Sequence, residues 1–125
     1  MPVASAPLIG ARFVVEIGGV EPIGFSEVVF PDFLTASEAP APLLLRRAAT
    51  GTLDLYEWWD IARGKSRGAI RDVSVQLIDG NGEPVLRWRF LRAVPLALSY
   101  SGLDASQSGL VIETLTLSFE RMEMG

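Results

Sequence analysis

Hydrophobic and polar residues alternate along most of this chain, and a period of two predicts strands. Over residues 12–18, Phe13, Val15 and Ile17 fall on one face, with Arg12, Val14 and Glu16 on the other. Gly18-Gly19 ends that run. Residues 23–30, rich in Val and Phe, predict a second strand stopped by Pro31-Asp32. Residues 35–42 hold two prolines among small residues and read as an exposed loop. Residues 43–48 predict a short third strand.

The period then changes. Residues 53–63 predict the one helix, with Leu53, Tyr56 and Trp59 at i, i+3 and i+6 and Leu55, Trp58 and Ala62 widening the stripe. Thr52 is placed to cap it through its hydroxyl, and Asp54 sits where the helix dipole favours an anion. Gly64 is a natural stop, with Arg63 favourable at the C-terminal end.

Alternation returns over residues 70–79, with Val73, Val75 and Leu77 inward and Asp72, Ser74 and Gln76 outward. Asp79-Gly80-Asn81-Gly82 is a hairpin signal, since Gly and Asn tolerate the positive φ that tight turns need. Residues 85–92 follow with Leu86, Trp88 and Phe90 on the core face. A further strand over 96–100 follows Pro95, and a last one runs over 110–120 with Leu115, Leu117 and Phe119 opposite Thr114, Thr116 and Ser118. Seven strands and one helix in hairpin order predict a mainly β fold, an antiparallel barrel or sandwich capped or plugged by the helix. Residues 1–125 read as one domain, with 1–11 a flexible N-terminal arm.

Composition removes several classes of function. Charged residues are 21% and the formal net charge is −4, without the basic excess of a general nucleic-acid binder. The chain has no Cys, hence no disulfide framework, and no His, the commonest general base and metal ligand. The first ten residues lack a basic, then apolar, leader pattern, and no apolar run approaches a membrane span of roughly 20 residues, so synthesis in the cytoplasm is expected.

Candidate chemistry is thin. Gly64-Lys65-Ser66 echoes a phosphate-binding loop, but Trp59 stands where that loop needs its first Gly. Asp79, Asn81 and Glu83 are spaced like calcium-loop ligands, but no bidentate Glu follows, and a turn explains them. Glu113, Glu120 and Asp104 are acids with no spacing that singles out a catalytic pair. No enzyme, cofactor or metal site is expected.

The arginines and tryptophans point to contacts instead. Ten of the eleven basic residues are Arg, and Arg suits fixed ion pairs because its planar fork meets carboxylates bidentately. Arg46, Arg47, Arg63, Arg67 and Arg71 are therefore candidates for a subunit interface, with a solvated face as the competing reading. Trp58 and Trp59 cannot both enter one core; one is core and the other a contact, and Trp58 is placed in the candidate interface with Glu38. The Thr114, Thr116, Ser118 face is a candidate non-sticky wall.

The order of motifs resembles the phage tail tube protein family. The resemblance is carried by Phe13-Val14-Val15-Glu16-Ile17, Gly24-Phe25-Ser26-Glu27-Val28, Leu45-Arg46-Arg47, and Leu55-Tyr56 with Trp59. It continues through Arg71, Val73, Val75, Leu77 and Asp79, then Trp88 and Phe90, Ala93 and Pro95, and Ile112-Glu113-Thr114-Leu115. The family implies a β-barrel subunit of the inner tube of a contractile tail or injection system, related to type VI secretion tubes. It implies homo-hexameric rings stacked into a conduit, sheath and baseplate partners, a protein or DNA payload, and no membrane partner. It also implies a longer connection between the second and third strands than residues 32–42 provide, hence a shortened or specialised ring. A monomeric β-barrel module binding a ligand or peptide beside Trp58 or Trp59 is the alternative.

Overall fold

The structure is a computed structural model that describes residues 7–8, 12–18, 22–36, 39–107 and 109–125. Most of the expected arm, and Glu38, lie outside the described residues.

Among the described residues seven strands and one α-helix, with a 3-10 turn over Arg67–Ala69, form in the order β1 (Arg12–Ile17), β2 (Glu27–Val29), β3 (Leu43–Ala48), α1 (Asp54–Arg63), β4 (Arg71–Ile78), β5 (Pro84–Tyr100), β6 (Ile112–Ser118) and β7 (Arg121–Met124). All pairing is antiparallel, in the path β1-β4-β5-β6-β3-β2, with β7 also on β5. The sheet is not closed. Among the described residues a single bridge, Val15 to Ile23, links the β1 side to the segment that leads into β2.

The mainly β class with one helix is as expected, but the strand partition differs. The two strands expected around Pro95 are one strand of 17 residues. Its first half pairs with β4 and β7, and the 94–100 stretch pairs with β6. Proline lacks an N–H and belongs at edges and bulges. Here Pro95 sits at a register shift, and the 94–100 stretch has strand neighbours on one side only. The last expected strand, 110–120, is shorter and stops at Ser118; past Phe119 and Glu120 a strand outside that expectation, β7, pairs along the first half of β5. A second shift lies where Arg92 adopts φ 55°, with its N–H on Asp72 Oδ1 at 3.0 Å. Bulges of this kind bend a strand and increase its twist, which lets β5 turn from one half of the sheet to the other. The second strand is shorter than the 23–30 run, because the chain leaves β1 at Ile23 before it reaches β3.

The core is what the alternation predicts at the centre of each strand. Val15, Ile17, Val73, Val75, Phe90, Leu43, Leu45, Leu115 and Leu117 are buried, with Phe119 edge-on to Phe90 at 4.9 Å. Alternation overstates burial at the hairpin tip, where Leu86 is exposed and Trp88 half-buried. Phe30 and Phe33 partly cover that end, with Phe30 4.8 Å from Trp88 and Phe33 6.2 Å from Phe90. The connection after β2 therefore packs at its start. Ser74, expected outward and wet, is buried on the outer face between Glu16 and Arg89.

The helix buries a different row from the one predicted first. Leu55, Trp58 and Ala62 face the core, while Leu53 and Tyr56 are exposed. At about 100° per residue these rows lie on opposite sides. Leu53 occupies the cap position without a side-chain bond, so Thr52 is not the cap. At the other end Lys65, not Gly64, is left-handed at φ 59°, and its N–H meets the Ala62 carbonyl at 2.9 Å. The 79–82 hairpin forms as expected: Asp79 Oδ1 accepts from Asn81 N at 2.9 Å and Glu83 N at 3.0 Å, with Gly82 at φ 82°.

Candidate assembly surfaces

Arg47 is the residue around which the interior is organised. The alternation that buries Leu43 and Leu45 buries Arg47 too, and the same rule on β6 buries Glu113 with Leu115 and Leu117. Arg47 and Glu113 are direct cross-strand partners, and Tyr100 is the partner of Glu113 on β5. Arg47 Nε donates to Glu113 Oε1 at 2.8 Å, and Tyr100 OH donates to Glu113 Oε2 at 2.5 Å. The other side of the guanidinium grips both Asp54 oxygens and donates to Thr52 Oγ1 at 3.2 Å. Thr52 in turn donates to Asp54 Oδ1, which also accepts from Leu55 N. One buried cation thus ties three strands to the first turn of α1.

The electrostatics follow. The Arg47 hydrogen bond holds the Asp54 carboxyl below its usual range, against the opposing effect of burial, and the Asp54 bond raises the Arg47 guanidinium. The Glu113 hydrogen bond, then burial, push the Tyr100 phenol up to about 12. Each group is satisfied by the others, so the network reads as a brace and not as a reacting centre.

The other predicted contact residues separate. Trp58 is the core member of the tandem pair, 2% exposed, with Nε1 donating to the Ala69 carbonyl at 2.7 Å, so its placement at an interface is corrected. Trp59 is the half-exposed one, with Arg63 over its ring at 4.5 Å. Arg47 is likewise committed internally. Arg71 lies half-buried over the Trp58 ring, while Arg63 and Arg67 are exposed near the end of α1. Arg46 points the other way, ion-paired to its cross-strand partner Glu27 at 3.3 Å.

Arg46 is also the register partner of Thr114, and Leu44 that of Thr116. Thr114, Thr116 and Ser118 are half-exposed and share with Ser99 the face turned from the core. That face spans β2, β3, β6 and the 94–100 stretch of β5. Among the described residues β2 has no strand partner beyond β3, and the 94–100 stretch none beyond β6. Both ends of this half of the sheet are therefore open. These edges were invisible to single-strand reasoning, because an edge is a property of the pairing order.

The sequence model of the T4-like virus tail tube protein gp19 family matches residues 36–123, more than two thirds of the chain. This chain belongs to that tail tube family. The fold is also that of solved structures at low identity. A chain of the PVC extracellular contractile injection system, in its sheath–tube complex in the extended state, superposes with TM-score 0.78 at 21% identity, covering 98% of this chain and 95% of that one. The anti-feeding prophage tube terminating cap gives 0.80 at 20% identity over 96% and 91%. Hcp1 from Flavobacterium johnsoniae gives 0.63 at 18% over 90% and 94%. No curated protein sequence matches. Coverage of the PVC chain is nearly complete in both directions, so the two chains are of similar length.

Proposed function

We infer that this structural tail tube protein of a contractile injection system or tail assembles into hexameric rings that stack into a hollow conduit for a protein or DNA payload. The open half-sheet carries the reading. An unpaired edge is a template for another chain, and proteins that keep one exposed generally cover it. Pairing β2 of one copy with the 94–100 stretch of the next is head-to-tail, and such contacts close into a ring when the rotation allows.

Closure of that kind turns the Thr114, Thr116, Ser118 row, with Arg46 beside it, toward the lumen. Short hydroxyl side chains on a paired strand offer a passing payload little apolar surface. The exposed Arg63 and Arg67, with Glu38, are then candidates for the rim between copies, where charge sets register more than affinity. Sheath and baseplate proteins are the expected outer partners, in line with the solved structures of a sheath–tube complex and of an anti-feeding prophage baseplate in related systems. Among the described residues no helix is long and apolar enough to cross a membrane. A catalytic role is not part of this reading, because the buried charges are consumed in bracing the subunit.

Mass photometry of the purified protein tests the proposal. Species at six copies and multiples of six are expected; a distribution that never exceeds two copies at high concentration excludes ring formation.

A further inference from the structure

The two ends of β5 carry apolar groups that the chain leaves uncovered. At its start, Val85, Leu86 and Met124 line an open recess together with Arg87, and each of the three is exposed. Just past its other end, the 101–111 loop holds Leu103 and Leu110 at 86% and 77% exposure. That loop is braced from within. Asp104 Oδ1 accepts from Ser106 N at 3.0 Å and from Ser106 Oγ at 2.7 Å, and Ile112 N donates to Ser101 Oγ at 2.8 Å.

The charges at the two ends are complementary. Asp104 is the one charged side chain between Arg92 and Glu113, and Arg87 is the one charged side chain lining the recess. Among the described residues neither makes an ion pair.

We propose that the 101–111 loop of one copy docks into the β5-start recess of the next, Leu103 and Leu110 against Val85, Leu86 and Met124, with Asp104 facing Arg87. The occupant is a second copy, because both halves of the contact, apolar and ionic, are carried by this chain. They lie at opposite ends of its longest strand, so one molecule cannot satisfy itself; two copies could close as an antiparallel pair, and the tail tube reading selects the head-to-tail arrangement instead. The contact repeats head to tail. It rests on the tail tube reading and supplies it with a link between copies distinct from the sheet edges.

The chain has no Cys, which makes engineered crosslinking clean. An Arg87→Cys, Asp104→Cys double variant, oxidised where the wild type assembles, should give a non-reducing gel ladder of dimers, trimers and beyond. Each single variant should stop at dimers. Arg87→Asp should raise the concentration needed for assembly about tenfold, and Asp104→Asn, which keeps the Oδ1 acceptor that braces the loop but loses the charge, should raise it by a smaller factor. Wild-type oligomers by mass photometry, with no ladder beyond dimers, would overturn this docking and leave the tail tube reading standing. A wild type that stays monomeric at every concentration would overturn both.

Discussion

Arg47 Nε lies 2.8 Å from Glu113 Oε1, between two side chains that are 9% and 4% exposed and sit directly opposite each other on β3 and β6. Burying such a pair gains little against apolar residues, but removing one partner strands the other. Glu113→Ala leaves Arg47 Nε and Tyr100 OH without their partner while Asp54 still meets the guanidinium charge, and should destabilise the subunit by roughly 1–3 kcal/mol in denaturant unfolding. A loss below about 1 kcal/mol would mean that water reaches the guanidinium and the brace is not sealed.

Acid should loosen the same brace from its helix side. The folded Asp54 carboxyl titrates below its ordinary value of 3.8. A lowered carboxyl stabilises fully above the unfolded value, and that contribution is lost as pH falls through the folded one. Stability should thus decline as pH drops from about 5, with a smaller decline in Asp54→Asn, followed by melting temperature against pH. Identical pH profiles for the two proteins would remove Asp54 from the account.

At the alkaline end the sign reverses. The folded Tyr100 phenol is raised from 10.0 to about 12, so its contribution is intact below pH 10 and lost as pH climbs toward 12. Ultraviolet titration of phenolate should show a tyrosine ionising near pH 12 that is absent from Tyr100→Phe. A wild type that matches Tyr100→Phe in that range would show that the Glu113 bond is broken in solution.

The tryptophans should separate by burial. Trp58→Ala removes a core ring and orphans the Ala69 carbonyl, and should cost about 3–5 kcal/mol. Trp88→Ala, at the half-covered hairpin tip, should cost roughly half as much. Equal losses, read by chemical denaturation, would mean that Phe30 and Phe33 seal that end more tightly than the structure has them. At the end of α1, Lys65→Gly should stabilise by about 1 kcal/mol, because a left-handed residue strains any side chain.

Local periodicity located the helix and every strand but β7, with β5 read as two pieces, because burial follows a period of two or 3.6 wherever an element lies fully on the core. It misjudged the ends. Leu86 keeps the apolar alternation but projects past the core, and Pro95 reads as a break although an edge strand tolerates it. Arg47 and Glu113 were within reach: extending the Leu43, Leu45 row by two residues, and the Leu117, Leu115 row back by two, places opposite charges on the same inner face. Reading Arg47 as surface followed from its charge and ignored its phase. The open edges needed the pairing order, which depends on which distant strands meet. The family resemblance was legible in the motif order, and the match over residues 36–123 bears it out.

Electron microscopy of the purified protein in negative stain tests the central claim most directly. Tail tube subunits with two open edges on one half-sheet should appear as six-fold rings with an open centre, alone or stacked into tubes. A field of uniform small particles with no rings, at concentrations far above those of the crosslinking experiment, would contradict it.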